Sequence, residues 1–244
     1  MNHHTRATLK NRLRPWALVI TSPRTTSYAQ GAEDVIILKL LETMGITPRS
    51  CTYLDVGANH PQYISTTYAL YRAGARGTVV EPNPAFAPVW RLTRRRDTLL
   101  QAGISHTGKG GSAPYWAFHR HTLNTFSAAE ATKVKTLHPD EAGVAPIAMP
   151  LITWAEALGS LPQTPTVVNL DVEGLDVELL QTFPFAQHHP LIWCVESVAY
   201  SMGGTHTKVP EVARIMEKNG YLAIAETHVN TIFVSQKAWE GRGQ

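Results

Sequence analysis

The sequence predicts an α/β fold, a mostly parallel sheet flanked by helices and finished by an antiparallel hairpin. Three observations predict it. Short apolar runs that meet an acid recur along the chain, in Tyr53-Leu54-Asp55, Gly77 to Glu81, Thr166 to Asp171 and Leu191 to Glu196. Helical patterns separate them, the alternation that builds parallel strands with crossover helices. Near the end, Tyr221 to Glu226 and Thr231 to Ser235 read as strands joined by the short His228-Val229-Asn230 turn. So short a link requires an antiparallel pair.

At 244 residues, with 43% hydrophobic and 17% charged residues, the chain buries a full core and is not disordered. We expect a basic arm over 1–24 and one domain over 25–244. No apolar run reaches the roughly 18 residues of a membrane helix, and Ala17-Leu18-Val19-Ile20 is too short for a signal sequence. Cys51 and Cys194 sit in or beside apolar strands and read as buried thiols, so a cytosolic protein is expected. The net charge of +3 is unevenly spread. Arg6, Lys10, Arg12, Arg14 and Arg24 precede the first acid, and Arg91 with Arg94 to Arg96 form a second cluster. Basic clusters mark nucleic-acid contacts in some proteins, but a loose arm and a solvated helix face explain these as well.

Taken in order, Ser27 to Asp34 is polar and would cap the apolar helix Val35 to Leu41, which stops near Gly45. The first strand leads through Asp55 into Val56-Gly57-Ala58-Asn59-His60-Pro61. A helix is expected from about Gln62, with Ile64, Tyr68 and Tyr71 at i, i+4 and i+7. After Glu81, Pro82-Asn83-Pro84 stops the second strand, and a helix is expected from about Pro84 to Arg95. Thr98 to Ser105 reads as strand three. Residues 106–150 fit the alternation poorly and read as a substrate-side insert, with a strand from Ala113 to His121 and a helix from about Ala128 to Leu137. Pro150 to Leu158 carries a short strand into a short helix. Val177, Leu180 and Phe183 mark a helix after the fourth strand, and Val209 to Asn219 is an amphipathic helix stopped by Gly220.

Ligands of open α/β sheets bind at the carboxyl ends of the strands, so the Gly57 turn is the expected cofactor loop. It lacks the G-x-G-x-x-G pattern of dinucleotide sites. Asp55 would repel a pyrophosphate and suits the sulfonium and amino group of S-adenosylmethionine. Glu81, at the end of strand two, can accept hydrogen bonds from both ribose hydroxyls. Asn59 lies in the loop, Asn83 beside the ribose position, and Gln101, Gly103 and Ser105 line the expected adenine position. The same residues also fit an ordinary α/β core with acids at solvated strand ends. In the insert, Tyr115, Trp116, Phe118, Asn124 and Thr125 are substrate-side candidates. His119 and His121 share a strand face without a third ligand and read as surface.

These pieces, in this order, resemble the FkbM-type S-adenosylmethionine-dependent methyltransferases. The likeness runs from about Ser27 to Ser235. It rests on Ser27-Tyr28-x-Gln30-x-x-Glu33-Asp34, Leu54 to Asn59, Gly77-x-x-Val80-Glu81-Pro82-Asn83, Ala102 to Ser105, Asn124 to Ser127 and Leu170 to Gly174. The resemblance implies a Rossmann-like class I fold with a seven-stranded sheet. It raises Gln30 to a cofactor wall and Tyr28 to a substrate neighbour. It also implies methyl transfer to a hydroxyl of a sugar, glycolipid or natural product. Asp171, at the end of strand four, would serve cofactor and catalysis. With Glu196 on strand five it could hold Mg2+. Glu173 could instead ligate or act as the base, and His60 is a second base candidate.

Two other functions stay open. A methyltransferase for nucleic acid or protein would explain the basic clusters, although Asn169-Leu170-Asp171-Val172 is not the Asn/Asp-Pro-Pro-aromatic motif of amino-directed enzymes. A binding module could keep the fold without turnover. The sequence leaves a homo-oligomer open.

Overall fold

The structure, a computed structural model, describes residues 25–199 and 207–242, so the expected basic arm lies outside the described residues. The strands are β1 (Thr52–Val56), β2 (Arg76–Val80), β3 (Thr98–Leu100), β4 (Gly103–Ile104), β5 (Gly111–Tyr115) and β6 (Ile147–Ile152), then β7 (Val167–Leu170), β8 (Ile192–Glu196), β9 (Val198–Ala199), β10 (Thr207–Lys208), β11 (Tyr221–Glu226) and β12 (Asn230–Ser235). The helices are α1 (Glu33–Thr43), α2 (Tyr68–Arg72), α3 (Ala87–Thr93) and α4 (Ala128–Leu137), followed by α5 (Trp154–Gly159), α6 (Asp176–Thr182), α7 (Pro210–Lys218) and α8 (Gln236–Glu240).

Seven strands form the main sheet in the order β11-β12-β8-β7-β1-β2-β3. β3, β2, β1, β7 and β8 run parallel, and β12 returns antiparallel between β8 and β11. This is the Rossmann-like seven-stranded sheet that the sequence leads one to expect. β4, β6 and β5 make a separate three-stranded sheet, and β9 and β10 pair as a short ribbon.

Strand alternation divides the core between the two faces of the sheet. Leu54, Val56, Val168, Leu170, Trp193 and Val195 pack with Trp154, Leu179, Leu180 and Met216 from α5, α6 and α7. Tyr53, Val167, Ile192 and Cys194 pack on the other face with Ile37, Leu41, Leu70 and Trp90 from α1, α2 and α3. Both cysteines are buried and free. Among the described residues, no helix is long and apolar enough to cross a membrane.

Four expectations need correction. The helix after the Gly57 turn begins at Tyr68, not Gln62. Ile64 holds a left-handed φ of 53° that no helix accepts, and Thr67 hydrogen-bonds Asp55. The helix after Pro84 is shorter than expected, Ala87–Thr93. Strand three breaks after Leu100, because the Ala102 amide returns to the Leu100 carbonyl and Gly103-Ile104 pairs with β6. The strand expected over Ala113 to His121 ends at Tyr115, and His121–Leu123 is a 3₁₀ turn. By contrast α4 starts and stops where its sequence pattern places it, with the Ser127 side chain accepting the Glu130 amide as its cap.

The Arg94 to Arg96 run is not one solvated face either. Arg94 is 1% exposed, sealed among Tyr53, Trp90, Tyr68 and Tyr71.

β1 and β2 approach closely at Gly77, where a Cβ would stand 2.2 Å from the Tyr53 ring and 2.3 Å from its carbonyl oxygen. Gly77→Ala should therefore lower stability by about 1–3 kcal/mol, read as a lower urea midpoint. Gly143→Ala, where a Cβ meets nothing within 4 Å, should leave the midpoint unchanged.

Candidate functional site

The site begins where β1 and β7 end. Gly57 has φ 77°, and a Cβ on it would lie 1.7 Å from the Asp171 carbonyl oxygen. Only glycine allows that approach. The Gly57 amide bonds the Val80 carbonyl at 3.0 Å, and the Asp171 amide bonds the Val56 carbonyl at 3.0 Å. The three strand exits are thereby tied to one another. Above them opens a cleft.

Of the residues singled out from the sequence, Gln30, Asp55, Gly57, Asn59, Glu81, Gly103, Asn124, Thr125, Asp171, Glu173 and Tyr115 line this cleft. The early segment reaches it through two buried acids. Glu33 accepts from Thr227 at 2.6 Å and Asn230 at 3.1 Å, which docks the segment on the terminal hairpin. Asp34 accepts from Ser27 at 2.6 Å and from the Tyr28 amide at 2.7 Å. The cap expected of Ser27 to Asp34 is thus a docking device as well as a helix start, and it leaves Gln30 facing the cleft.

Other candidates stand elsewhere. Tyr28, Asn83, Gln101, Ser105, Trp116 and Phe118 are not among the lining residues. Tyr28 packs edge-on to Tyr68 and accepts from Arg72 at 3.0 Å. The Asn83 amide donates to Glu81 at 2.7 Å, so it shapes the site through its backbone. Ala102 and Ile104 line the cleft in place of Gln101 and Ser105, and the Ser105 hydroxyl bonds that of Thr107 at 2.9 Å. Phe118 packs with Ala131 and Val134 inside the insert. His60 lies outside the cleft, with Nδ1 accepting the amides of Gln62 at 3.2 Å and Tyr63 at 3.0 Å. That nitrogen is engaged locally rather than aimed at the cleft.

Ile64, Thr66, Phe126 and His121 line the cleft without having been singled out for it. His121 was expected at the surface with His119. The turn at His121–Leu123 separates them, and Asn59 Nδ2 holds the His121 carbonyl at 2.8 Å. His119 stays outside, bonded to Glu141 at 3.0 Å. A strand-based reading offered no signal for that turn.

The cleft is acidic in a graded way. Asp55 is buried, and its oxygens accept from Thr67 at 2.5 Å and Asn169 at 2.9 Å. Burial raises its pKa, and the Thr67 bond and the Arg94 charge oppose the rise. Glu81 accepts two backbone amides, Asn59 at 2.6 Å and Asn83 at 2.7 Å. Burial still lifts it from 4.5 to about 7. Asp171 looks into the cleft and is pushed to about 6, by burial first and then by Asp55 and Glu33. Glu173 and Glu196 rise well above the ordinary range through burial and the charge of Asp171. Asp176 rises to about 8, by burial and then the Asp171 charge, although the Val172 and Gly174 amides hold it at 3.2 and 3.3 Å.

Asp171, Glu173 and Glu196 each present an oxygen within 4.8 Å of the others. Oxygen donors at that spacing suit a hard divalent cation. Glu173 joins the expected pair because it holds a left-handed φ of 56° and Thr125 donates to its carbonyl at 2.8 Å.

Residues 55–223 match the family described as the methyltransferase FkbM domain. No curated protein matches the chain. Among solved structures, a 1,6-didemethyltoxoflavin-N1-methyltransferase of Burkholderia thailandensis is 11% identical, with a TM-score of 0.42, covering 96% of this chain and 88% of its own. A TehB-like methyltransferase of Corynebacterium glutamicum is 8% identical, with a TM-score of 0.40 and coverages of 94% and 99%. The fibrillarin of Aeropyrum pernix is 9% identical, with a TM-score of 0.41 and coverages of 82% and 73%. The family assignment rests on the family match alone.

The raised acids set a direction for stability against pH. An acid whose pKa is higher folded than unfolded keeps its proton longer in the folded state, so stability falls as pH rises between the two values. For Glu81 that window runs from 4.5 to about 7. Its cost is on the order of 3 kcal/mol above the window. Asp171 and Asp176 act in the same sense, up to about 6 and about 8. The ligand-free protein should therefore melt at a lower temperature at pH 7.5 than at pH 5, and Glu81→Gln should shrink that difference. Equal slopes in the two proteins would show that Glu81 is not strained.

Proposed function

This chain belongs to the FkbM methyltransferase family, and we propose that it methylates a hydroxyl of a sugar, glycolipid or natural-product acceptor. S-adenosylmethionine, the cofactor of the family, supplies a methyl group on a cationic sulfonium. The observation that carries the hydroxyl reading is the position of Glu173. It lines the cofactor cleft and also a neighbouring cavity formed with Glu130, Asp176, Glu196, Val198 and Val212. A group standing at that junction touches what enters from either side.

In this reading Glu81 accepts both ribose hydroxyls, since each of its oxygens keeps a lone pair beside its backbone donor. Asp55 meets the cofactor's amino group. Pro82, Gly103 and Ile104 flank the adenine. Residues 106–150 act as the substrate-side insert of a domain spanning 25–244. The acceptor hydroxyl lies against Glu173, which takes its proton as the methyl is transferred. A cation bound in the cleft favours the charged carboxylate, so cofactor binding lowers the pKa of Glu173 and readies it as a base. In-line placement of acceptor and methyl supplies the remaining acceleration.

The carboxylate trio favours a second reading of the same chemistry. Asp171, Glu173 and Glu196 would together hold a divalent cation such as Mg2+. That ion would orient the acceptor and lower its hydroxyl pKa.

Calorimetric titration with S-adenosylmethionine, with and without Mg2+, comes first. Transfer of labelled methyl to hydroxylated sugars, glycolipid head groups, protein and RNA follows. Glu173→Gln should bind the cofactor within about threefold of wild type and lose at least about 100-fold in transfer rate. A chelator that stops transfer selects the metal reading, and indifference to chelation selects the base. Labelling of RNA or protein alone would overturn the small-acceptor assignment.

A further inference from the structure

Arg94 is unused by the chemistry above, yet it is among the most completely engaged side chains of the described residues. Its side chain is 0% exposed and lies directly behind the cofactor loop. The five N–H groups of a guanidinium point in fixed directions, and here each has an acceptor. Nε donates to Asp97 at 2.7 Å. One terminal nitrogen donates to the Pro61 carbonyl and to Ser65 Oγ, both at 3.3 Å. The other donates to the Tyr53 hydroxyl at 2.6 Å and to Thr67 Oγ1 at 3.0 Å. Thr67 in turn donates its only hydroxyl proton to Asp55 at 2.5 Å.

The direction of these bonds matters. A threonine hydroxyl has one proton, and Arg94 can only donate. By donating to a lone pair of the Thr67 hydroxyl, Arg94 leaves that proton for Asp55. The same guanidinium fixes the loop from Pro61 to Thr67, which carries the cleft residues Ile64 and Thr66. Trp90, one helical turn earlier on the chain, holds the Asn59 carbonyl at 2.7 Å.

We infer that Arg94 is a positioning residue for cofactor binding: it sets the 61–67 loop and, through the Thr67 hydroxyl, orients the Asp55 carboxylate toward the amino group of S-adenosylmethionine. The inference rests on the reading that Asp55 faces that amino group. It gives the buried arginine a function distinct from holding the core together. A core role would touch all parts of the cofactor alike, whereas this relay acts on the amino-acid portion.

The test uses that difference. The full chain is titrated calorimetrically with S-adenosylmethionine and with 5′-methylthioadenosine, which keeps the adenosine and lacks the amino acid. Thr67→Val keeps the side-chain shape and removes the relay. It should bind S-adenosylmethionine about tenfold more weakly, the loss of one hydrogen bond to a charged group, with methylthioadenosine affinity unchanged. Thr67→Ser restores the hydroxyl and should restore binding. Arg94→Lys keeps the charge without the fork and should behave like Thr67→Val, its melting temperature confirming that it folds. Should it not fold, the two threonine variants decide alone. Wild-type affinity in Thr67→Val, or equal losses for both ligands, would overturn the relay. Failure of the wild type to bind S-adenosylmethionine at all would remove the Asp55 reading and this inference with it.

Discussion

The crowding of carboxyl groups at one edge of the sheet is the constraint on which the rest of the site depends. Asp55, Glu81, Asp171, Glu173 and Glu196 stand at or just past the carboxyl ends of four adjacent strands, and burial with mutual repulsion raises every one of them. Taking charge out of water is costly, so each group must find donors, keep its proton or await a cation. Glu81 has two backbone amides, Asp55 has Thr67 and Asn169, and Asp176 has the amides of the loop below it. Among the described residues, the Asp171 and Glu196 carboxylates meet no such donor and face other acids instead. The gradient runs from well-paired acids on the β2 side to poorly paired ones toward β8.

That gradient follows the two faces of the sheet. Tyr53, Asp55 and Asn169 share the face covered by α1, α2 and α3, where Arg94 provides a fixed positive charge and a rigid set of donors. Fixed donors of this kind cost no reorganisation when a ligand arrives. On the β8 side the walls of the second cavity include Glu130, Glu173, Asp176, Glu178 and Glu196 with four valines, and the charge there is open to whatever enters. In the proposed reading, one half of the site is built for a ligand of constant chemistry. The other half responds to proton or cation.

Legibility in the sequence followed the same division between periodic and irregular backbone. The parallel strands β1, β2, β7 and β8, the terminal hairpin, α4 and α7 declare themselves through apolar period, caps and stops, and they stand where those patterns put them. Acids at strand ends were legible for the same reason, because a strand's end fixes where its next side chain emerges. The loop from Gly57 to Thr67 was not. Its course depends on Arg94, some thirty residues away in sequence, and Ile64 and Tyr68 mimic a helical period that the left-handed Ile64 interrupts. Arg94 itself was hidden inside a basic run, although Asp97 three residues on is its ion-pair partner at 2.7 Å. Charge composition does not distinguish a buried arginine from its solvated neighbours. His121 was misplaced because alternation continued on paper past Tyr115, where the strand stops.

The placement of Glu173 shows how the insert and the sheet cooperate. A non-glycine residue at φ 56° is strained and persists only when its surroundings over-determine it. Three contacts do so here. Thr125 of the insert holds the Glu173 carbonyl, Asp176 receives the flanking Val172 and Gly174 amides, and Glu130 of α4 packs where a Gly174 side chain would lie, within 2.4 Å of that absent Cβ. Two of the three reach across from residues 106–150, or involve α4, rather than from the parallel sheet. The sheet thus fixes the edge where the acids gather, and the insert fixes which way Glu173 emerges from it. In the proposed reading, variation in the insert would change the acceptor cavity and the posture of its junction residue together, while the cofactor half, held by β1, β2 and Arg94, would stay as it is.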